Sequence, residues 1–306
     1  MIGTLFTLTN KARPERTITI NDHTDPLNFI ALQAYPTMEL DVRVDERPKE
    51  GQHGIWDFFS YYGKRVITFE GCIIGEDEES VTTIKDTLMN VINFPSQPTS
   101  SDDGTVVISW TDPRGRDVQI DAKISAYPST SRDLGDKMRL DFQLIFKAPS
   151  PEIVSQNVIE VDGVRGYARG DFMIPFEVPF SLGVEYVNKF TVNNEGSVTA
   201  DVVYRLYGGS HYAITNPRVT NITTGEFMQV DTSLADGTKY VEINTKDGTV
   251  MDQDGVDLSG SVHAGSTFPK LDIGDNDIFY SSDESPYATG VQPDEIVDTE
   301  HRFAML

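Results

Sequence analysis

Alternation of apolar and polar residues with a period of two is the sequence feature that most constrains the fold of this chain. Residues 16–20 (RTITI), 38–44 (MELDVRV) and 138–146 (MRLDFQLIF) each place apolar side chains on every second position. Asp, Asn, Gly and Pro separate such segments, and these residues favour tight turns. The pattern is typical of antiparallel strands with one buried face. We therefore predict a mainly β protein.

A single segment departs from this pattern and predicts one helix. Val81, Leu88 and Val91 recur at helical spacing, and Ser80 is a candidate N-cap that follows a run of acidic residues. Acidic side chains favour the positive end of a helix, and Pro95 prevents much continuation. We expect a helix at about residues 80–93, carried by an otherwise β-rich N-terminal domain.

Two prolines within residues 148–151 (APSP) break the last strand of the first half and predict a domain boundary there. We assign residues 1–150 to an N-terminal β domain with one helix. Residues 151–280 show short strands and glycine-containing turns at intervals of roughly ten to fifteen residues, which predict an antiparallel β-sandwich. Residues 281–306 are polar and acidic and predict an extended C-terminal tail with an apolar end.

Charge is divided unevenly and argues against bound nucleic acid. The net charge is -23; residues 1–150 hold 16 Lys and Arg against 23 Asp and Glu, which leaves 9 against 25 in residues 151–306. Binding to a phosphate backbone requires clustered cations. An acidic surface can still face DNA that passes by without binding it. We expect no membrane span and no secretion signal, because no long apolar run and no basic start are present.

No residue pattern predicts an active site, a cofactor or a metal. Cys72 is the single cysteine and cannot form a disulfide within one chain. A free cysteine usually behaves as a small apolar side chain, so we expect Cys72 to be buried in a strand. The histidines are widely separated and lack metal-site spacing; they are His23, His53, His211, His263 and His301. Two aspartate groups superficially suggest calcium, but the bidentate Glu of a calcium loop is missing. We interpret both as acidic turns: Asp247, Asp252, Asp254 and Asp257, and Asp272, Asp275 and Asp277.

An aromatic cluster in the first half is the strongest candidate for an interaction surface. Its members are Trp56, Phe58, Phe59, Tyr61 and Tyr62. Alternation directs these side chains to both faces of a strand, which predicts burial on both sides and favours core plus subunit interface over sugar binding. A carbohydrate surface formed by Tyr204, Tyr207 and Tyr186 on the sandwich is a weaker alternative.

An ordered series of short motifs resembles the distal tail protein family of siphophages. In the first half the series consists of residues 54–63 (GIWDFFSYYG) and 64–71 (KRVITFEG). In the second half it consists of residues 192–196 (VNNEG), 205–208 (RLYG), 216–225 (NPRVTNITTG), 241–245 (VEINT) and 271–276 (LDIGDN). Most of these motifs mark tight turns, where glycine supplies a positive φ.

The resemblance implies a galectin-like C-terminal sandwich and a ring, usually a hexamer, built by the N-terminal domains around a DNA channel. It further implies a place at the distal end of the virion tail, after assembly in the host cytoplasm. The implied partners are the tail tube, tail hub and tape-measure proteins and a receptor-binding protein.

Three functions follow as hypotheses. The first is a non-enzymatic ring that joins the tail tube to the hub and is the attachment platform for host-recognition components. The second is a carbohydrate-binding module that contacts the host cell surface. The third, a secreted hydrolase, would require a signal peptide and a convergent catalytic cleft, and the sequence shows neither.

Overall fold

The computed structural model describes residues 4–49, 53, 55–94, 100–131, 138–165, 167–168, 186–187, 189–208, 213–235, 238–283 and 296–305. The chain divides into two compact units, Met1–Gln156 and Asn157–Met305. The predicted domain boundary, after residue 150, lies slightly before the boundary between these two units. The difference arises because Ile153–Ser155 forms a short strand that pairs with a strand of the first unit.

A large antiparallel sheet makes up most of the first unit. Its strands are β1 (Phe6–Asn10), β2 (Thr17–Ile20), β3 (Phe29–Leu32), β4 (Thr37–Pro48), β5 (Ile55–Ile74), β6 (Thr105–Thr111), β7 (Asp117–Ser131), β8 (Arg139–Ala148) and β9 (Ile153–Ser155). The order across the sheet is β2-β1-β6-β7-β8-β5-β3, while β4 pairs with β5 and β9 with β7. A hydrogen bond of 2.7 Å from the Asn21 N–H to the Ile30 carbonyl connects the two ends, so the sheet curls toward a barrel.

Helix α1 (Glu78–Ile92) packs on this curled sheet and confirms the predicted helix. The N-cap is Asp77 rather than Ser80: the Asp77 carboxylate accepts the Ser80 N–H at 2.7 Å, and an acidic side chain is favourable at this end. The buried face of the helix consists of Val81, Leu88, Val91 and Ile92.

The core of the first unit consists of the inward side chains of alternating strand positions. Phe6, Phe69 and Phe146 are fully buried and meet edge to face, with ring centroids 5.4 Å and 5.9 Å apart. Such edge-to-face pairs are favoured by the ring quadrupole. Cys72 is a buried thiol in β5, as predicted, and burial raises its pKa.

The second unit is an antiparallel sandwich, as the turn rhythm predicted. Its strands are β10 (Ile159–Arg165), β11 (Tyr167–Ala168), β12 (Tyr186–Val187), β13 (Lys189–Asn194), β14 (Val202–Tyr207), β15 (Ile214–Thr215), β16 (Arg218–Asn221), β17 (Glu226–Gln229), β18 (Ser233–Leu234), β19 (Tyr240–Asn244), β20 (Thr249–Asp252), β21 (Gly274–Ser281), β22 (Ile296–His301) and β23 (Ala304–Met305), with a 3-10 turn at Ser259–Ser261. Two sheets, β10-β22-β14-β19-β20 and β13-β21-β16-β17, carry the side chains of one buried core between them.

The end of the chain differs from the predicted extended tail at 281–306. Strand β22 lies between β10 and β14 and pairs with both, so it is an inner strand of the sandwich. Phe303 and Ala304 are buried, and the Ala304 carbonyl accepts the N–H of Ser197 at 2.9 Å. Gly196 fits this junction because a Cβ atom there would lie 2.1 Å from the Ala304 carbonyl oxygen. Residues 284–295, where the prediction also applied, lie outside the described residues.

Candidate interaction surface

The outer half of the β4–β5 hairpin, residues 41–48 with 55–62, forms a two-stranded ribbon that we call the arm. Strand β5 pairs with β8 only from Arg65 to Ile74, whereas its residues 55–62 pair with β4 alone among the pairings of the described residues. The register shifts between Leu40 and Val42, where Gly63 approaches Asp41: a Cβ at Gly63 would lie 3.0 Å from an Asp41 carboxylate oxygen. Such bulges bend a ribbon away from its sheet.

All five predicted interface aromatics lie on the arm, and the three whose side chains are described are exposed. The exposed fractions are 67% for Phe59, 63% for Tyr61 and 56% for Tyr62. The predicted burial on both sides is wrong for these residues. They precede Arg65, and strand β5 pairs with β8 only from Arg65 onward. Trp56 and Phe58 belong to β5, but their side chains lie outside the described part of the chain.

Both faces of the arm carry exposed apolar side chains. Val42 lies opposite Tyr62 and Val44 opposite Ser60, which places these side chains on one face. Phe59 and Tyr61 lie on the other face, with ring centroids 6.3 Å apart. Val42 and Val44 are themselves about half exposed, and sequence analysis missed them because alternation alone gives no indication of which strands leave the core.

The two aspartate groups hold turns and strand pairs. Asp252 accepts the backbone N–H groups of Asp254 and Val256 at 2.9 Å and 2.8 Å, around a glycine with φ +76°. In the second group, Asp275 accepts the side-chain amide of Asn193 at 2.6 Å across the sheet. Among the described residues, no three His, Cys, Asp or Glu side chains are grouped so that they could hold a metal ion.

The histidines are dispersed over both units. His263 lies 3.2 Å from the Asp231 carboxylate, while His23 packs edge-on against Phe29. His53 is exposed, and His211 lies outside the described residues. His301 is buried in β22, where burial lowers its pKa while the contact of Nε2 with the Asn193 carbonyl partly opposes this shift. These placements bring no two histidines into one site.

The outer face of the five-stranded sheet carries an ordered polar group that we call the Arg205 face; it consists of Arg205, Tyr207, Tyr240, Glu242, Asp298 and Glu300. The Arg205 Nε donates to Glu242 at 2.9 Å, and its Nη1 donates to Glu300. Partial burial lowers the pKa of Arg205, but these hydrogen bonds outweigh it and the net shift is upward. The tyrosine rings of Tyr207 and Tyr240 lie 5.2 Å apart.

Among the tyrosines considered for a sugar surface, two have described side chains, and of these two the structure places Tyr207 on this face. Burial, with a smaller contribution from Asp298, raises the pKa of Tyr207 to about 12. Tyr204 points the other way: it is fully buried and its hydroxyl donates to the Pro269 carbonyl at 3.0 Å, so its assignment to an outer surface is wrong. The side chain of Tyr186 lies outside the described residues. Sequence analysis missed Arg205 and its partners because Glu300 was assigned to a tail.

A family model matches most of the second unit. Residues 187–291 match the family model described as siphovirus-type tail component, C-terminal domain. No curated protein sequence gives a significant match. No helix among the described residues has the length and apolar character that a membrane crossing requires.

Solved structures resemble the chain over nearly its full length. The crystal structure of SPP1 Dit, described as a paradigm of the hub adsorption apparatus in phages that infect Gram-positive bacteria, gives a TM-score of 0.60 at 12% identity and covers 98% of this chain and 99% of that chain. A chain of the phage P2 baseplate in its activated conformation with Ca gives a TM-score of 0.48 at 10% identity, covering 99% of this chain and 98% of that chain. At 12% identity, the SPP1 Dit likeness shows a shared fold.

The predicted resemblance to the siphophage distal tail proteins is thus confirmed by the family match in the second unit and by the shared fold of the whole chain.

Proposed function

We propose that this protein is a non-enzymatic component of a phage tail tip that assembles into a closed ring through the arm. The ring connects the tail tube to the tail hub and is the attachment platform for host-recognition components. The match of residues 187–291 to the model of a siphovirus-type tail component supports the place in the tail. The exposed apolar arm is the single observation that supports self-assembly.

The arm is a ribbon of two strands, and an isolated ribbon of this kind has little stability of its own. A two-stranded hairpin is at best marginally stable in water, and three or more strands or a packed face are needed for independent stability. The arm exposes Phe59, Tyr61 and Tyr62 together with two valines. A contiguous exposed apolar patch marks an interaction site, and aromatic residues are enriched in interface cores. Coverage by a partner stabilises the arm.

A second copy of the chain is the partner that accounts best for this geometry. A ribbon that binds a different surface on the next copy forms a heterologous contact, and repetition of such a contact closes into a ring when the rotation permits. The edge of residues 55–62 away from β4 also has no strand partner among the described pairings, so it can accept a strand from the neighbour. We propose a hexamer, with DNA passing through the ring without specific binding.

The experiment is the solution mass of the purified full chain by light scattering, supported by negative-stain imaging. We expect a ring of about six copies for a closed cyclic assembly. The double variant Phe59→Ser with Tyr61→Ser should shift the mass toward one chain. The matched control is Leu27→Ser, which alters an apolar residue of similar exposure outside the arm and should leave the ring intact. A wild-type chain that remains monomeric at every concentration would refute autonomous ring formation, and equal loss of the ring in the control would refute the role of the arm.

A further inference from the structure

We propose that the Arg205 face of the second unit binds a neutral saccharide. This function goes beyond the architectural role and does not depend on ring formation. The face lies on strands β14, β19 and β22, and the antiparallel pairing of these strands sets the relative positions of its residues.

The register of these strands arranges the face in parallel rows. Tyr207 lies opposite Tyr240, and Arg205 lies opposite Glu242. Because residues two apart along a strand are separated by about 7 Å, the aromatic row and the charged row are one such step apart. This spacing allows one sugar unit to contact both rows at once.

The chemistry of the two rows fits a polyhydroxylated ligand. The tyrosine rings offer flat apolar surface with a polar rim, which suits the C–H face of a pyranose ring. The neighbouring carboxylates accept hydrogen bonds from hydroxyl groups, and the guanidinium donates to hydroxyl oxygens. The side chains of Arg205, Glu242 and Glu300 remain 28%, 31% and 31% exposed, so part of their polar surface stays accessible to a ligand.

The face is organised before a ligand arrives. Arg205 bridges carboxylates from β19 and β22, and Tyr207 is in addition hydrogen-bonded to Asp298. Side chains that are already fixed lose little conformational entropy on binding, which favours affinity.

The negative charge of the Arg205 face favours a neutral ligand over an anionic one. Three carboxylates surround the single guanidinium of the face, and residues 151–306 carry 25 Asp and Glu against 9 Lys and Arg. Polymers with phosphate or uronate groups would therefore be repelled. A protein partner is a poorer fit, because protein interfaces require a fully buried apolar centre and this face offers two partly covered tyrosines.

The expected affinity of one face is low. An open sheet surface buries less of a ligand than a closed pocket does, so we expect a Kd of ~1 mM for one chain. Several copies acting together would bind a polysaccharide much more tightly through avidity.

The test is saturation-transfer NMR on the full chain with a fixed panel of neutral oligosaccharides built from hexoses and N-acetylhexosamines, and with polygalacturonate as the anionic comparison. We expect binding to at least one member, weakened about tenfold by Tyr240→Ala, which removes one ring of the aromatic row. Glu242→Gln keeps the shape of its side chain and should also weaken binding. The matched control Tyr35→Ala removes a half-exposed tyrosine of the first unit, outside the arm, and should leave binding unchanged.

Three results would overturn the proposal: no binding by the wild-type chain to any member of the panel, unchanged binding in both the Tyr240 and Glu242 variants, or preferred binding of polygalacturonate. Circular dichroism of each variant shows whether the fold is kept. Light scattering on the same samples reports the ring separately, so failure of saccharide binding and failure of ring assembly are distinguishable.

Discussion

Removal of Arg205 tests whether its ion-pair network stabilises the second unit. The guanidinium donates to Glu242 at 2.9 Å and to Glu300, and all three side chains are about 70% covered. Exposed ion pairs contribute up to about 1 kcal/mol each, while removal of one partner of a fully buried pair costs about 3–5 kcal/mol. For this intermediate burial we expect Arg205→Met to lower the free energy of unfolding of the second unit by about 2 kcal/mol.

A double-mutant cycle separates the ion pairs from lost packing. In Arg205→Met the two glutamates remain close together without a cation, so adding Glu242→Gln should recover part of the loss. We expect a coupling energy of about 1 kcal/mol between the two sites. Arg139→Met is the control, since the Arg139–Asp141 pair is 48% and 40% exposed and should contribute less than about 0.5 kcal/mol.

The assay is native-state hydrogen exchange read by mass spectrometry, on peptides that cover β14 and β19 for the Arg205 variants and on peptides that cover β8 for the Arg139 control. It reports the stability of each unit without requiring a two-state transition of the whole chain. A loss below about 0.5 kcal/mol in Arg205→Met would show that the network is energetically neutral. Strictly additive effects of the two substitutions would show that Arg205 and Glu242 do not interact.

Three further predictions concern single side chains. Asp77→Ala removes the helix cap and should lower the melting temperature of the first unit, whereas Asp86→Ala in the exposed middle of α1 should not; equal effects in calorimetry would contradict the cap. Tyr204→Phe leaves a buried carbonyl without its donor and should destabilise the second unit by about 1–2 kcal/mol in urea unfolding, and a neutral result would refute the hydrogen bond. Burial lowers the pKa of His301, so the folded state binds its proton less readily than the unfolded state. Stability should therefore fall as the pH decreases below about 6.5, and His301→Gln should flatten this dependence on the acid side of that pH; an unchanged slope would contradict the assignment.

Sequence patterns predicted the secondary structure correctly in elements that bury one face, such as β8 and α1. The alternation in residues 138–146 corresponds to β8, whose inward side chains Leu140, Phe142, Leu144 and Phe146 are buried. The helical spacing of apolar residues gave α1 in the same way. In both elements the apolar residues recur with the period of the backbone and lie on the face that is buried. The spacing of apolar residues along the sequence is therefore enough to identify the element.

The aromatic segment shows where such a pattern fails. Phe59 and Tyr61 alternate as core residues do, yet they lie on a ribbon that extends beyond the sheet. An apolar side chain that faces a core and one that awaits a partner look the same in sequence, because both are selected for burial in the final assembly. The pairing of β5 with β8 distinguishes a core residue from an exposed one in this strand: it runs from Arg65 to Ile74, and Phe59 and Tyr61 precede it.

Sequence alone determined the mainly β class, the single helix and the absence of a metal-binding or catalytic motif, because these depend on local periodicity and residue spacing. Tertiary structure decided the place of strand β22 and the composition of the Arg205 face. Strand β22 is acidic and follows a proline-containing segment, so its composition predicts a tail, but its hydrogen bonds to β10 and β14 make it an inner strand. Those pairings bring Glu300 to Arg205 across 95 positions of sequence, and no local pattern encodes a contact of that range.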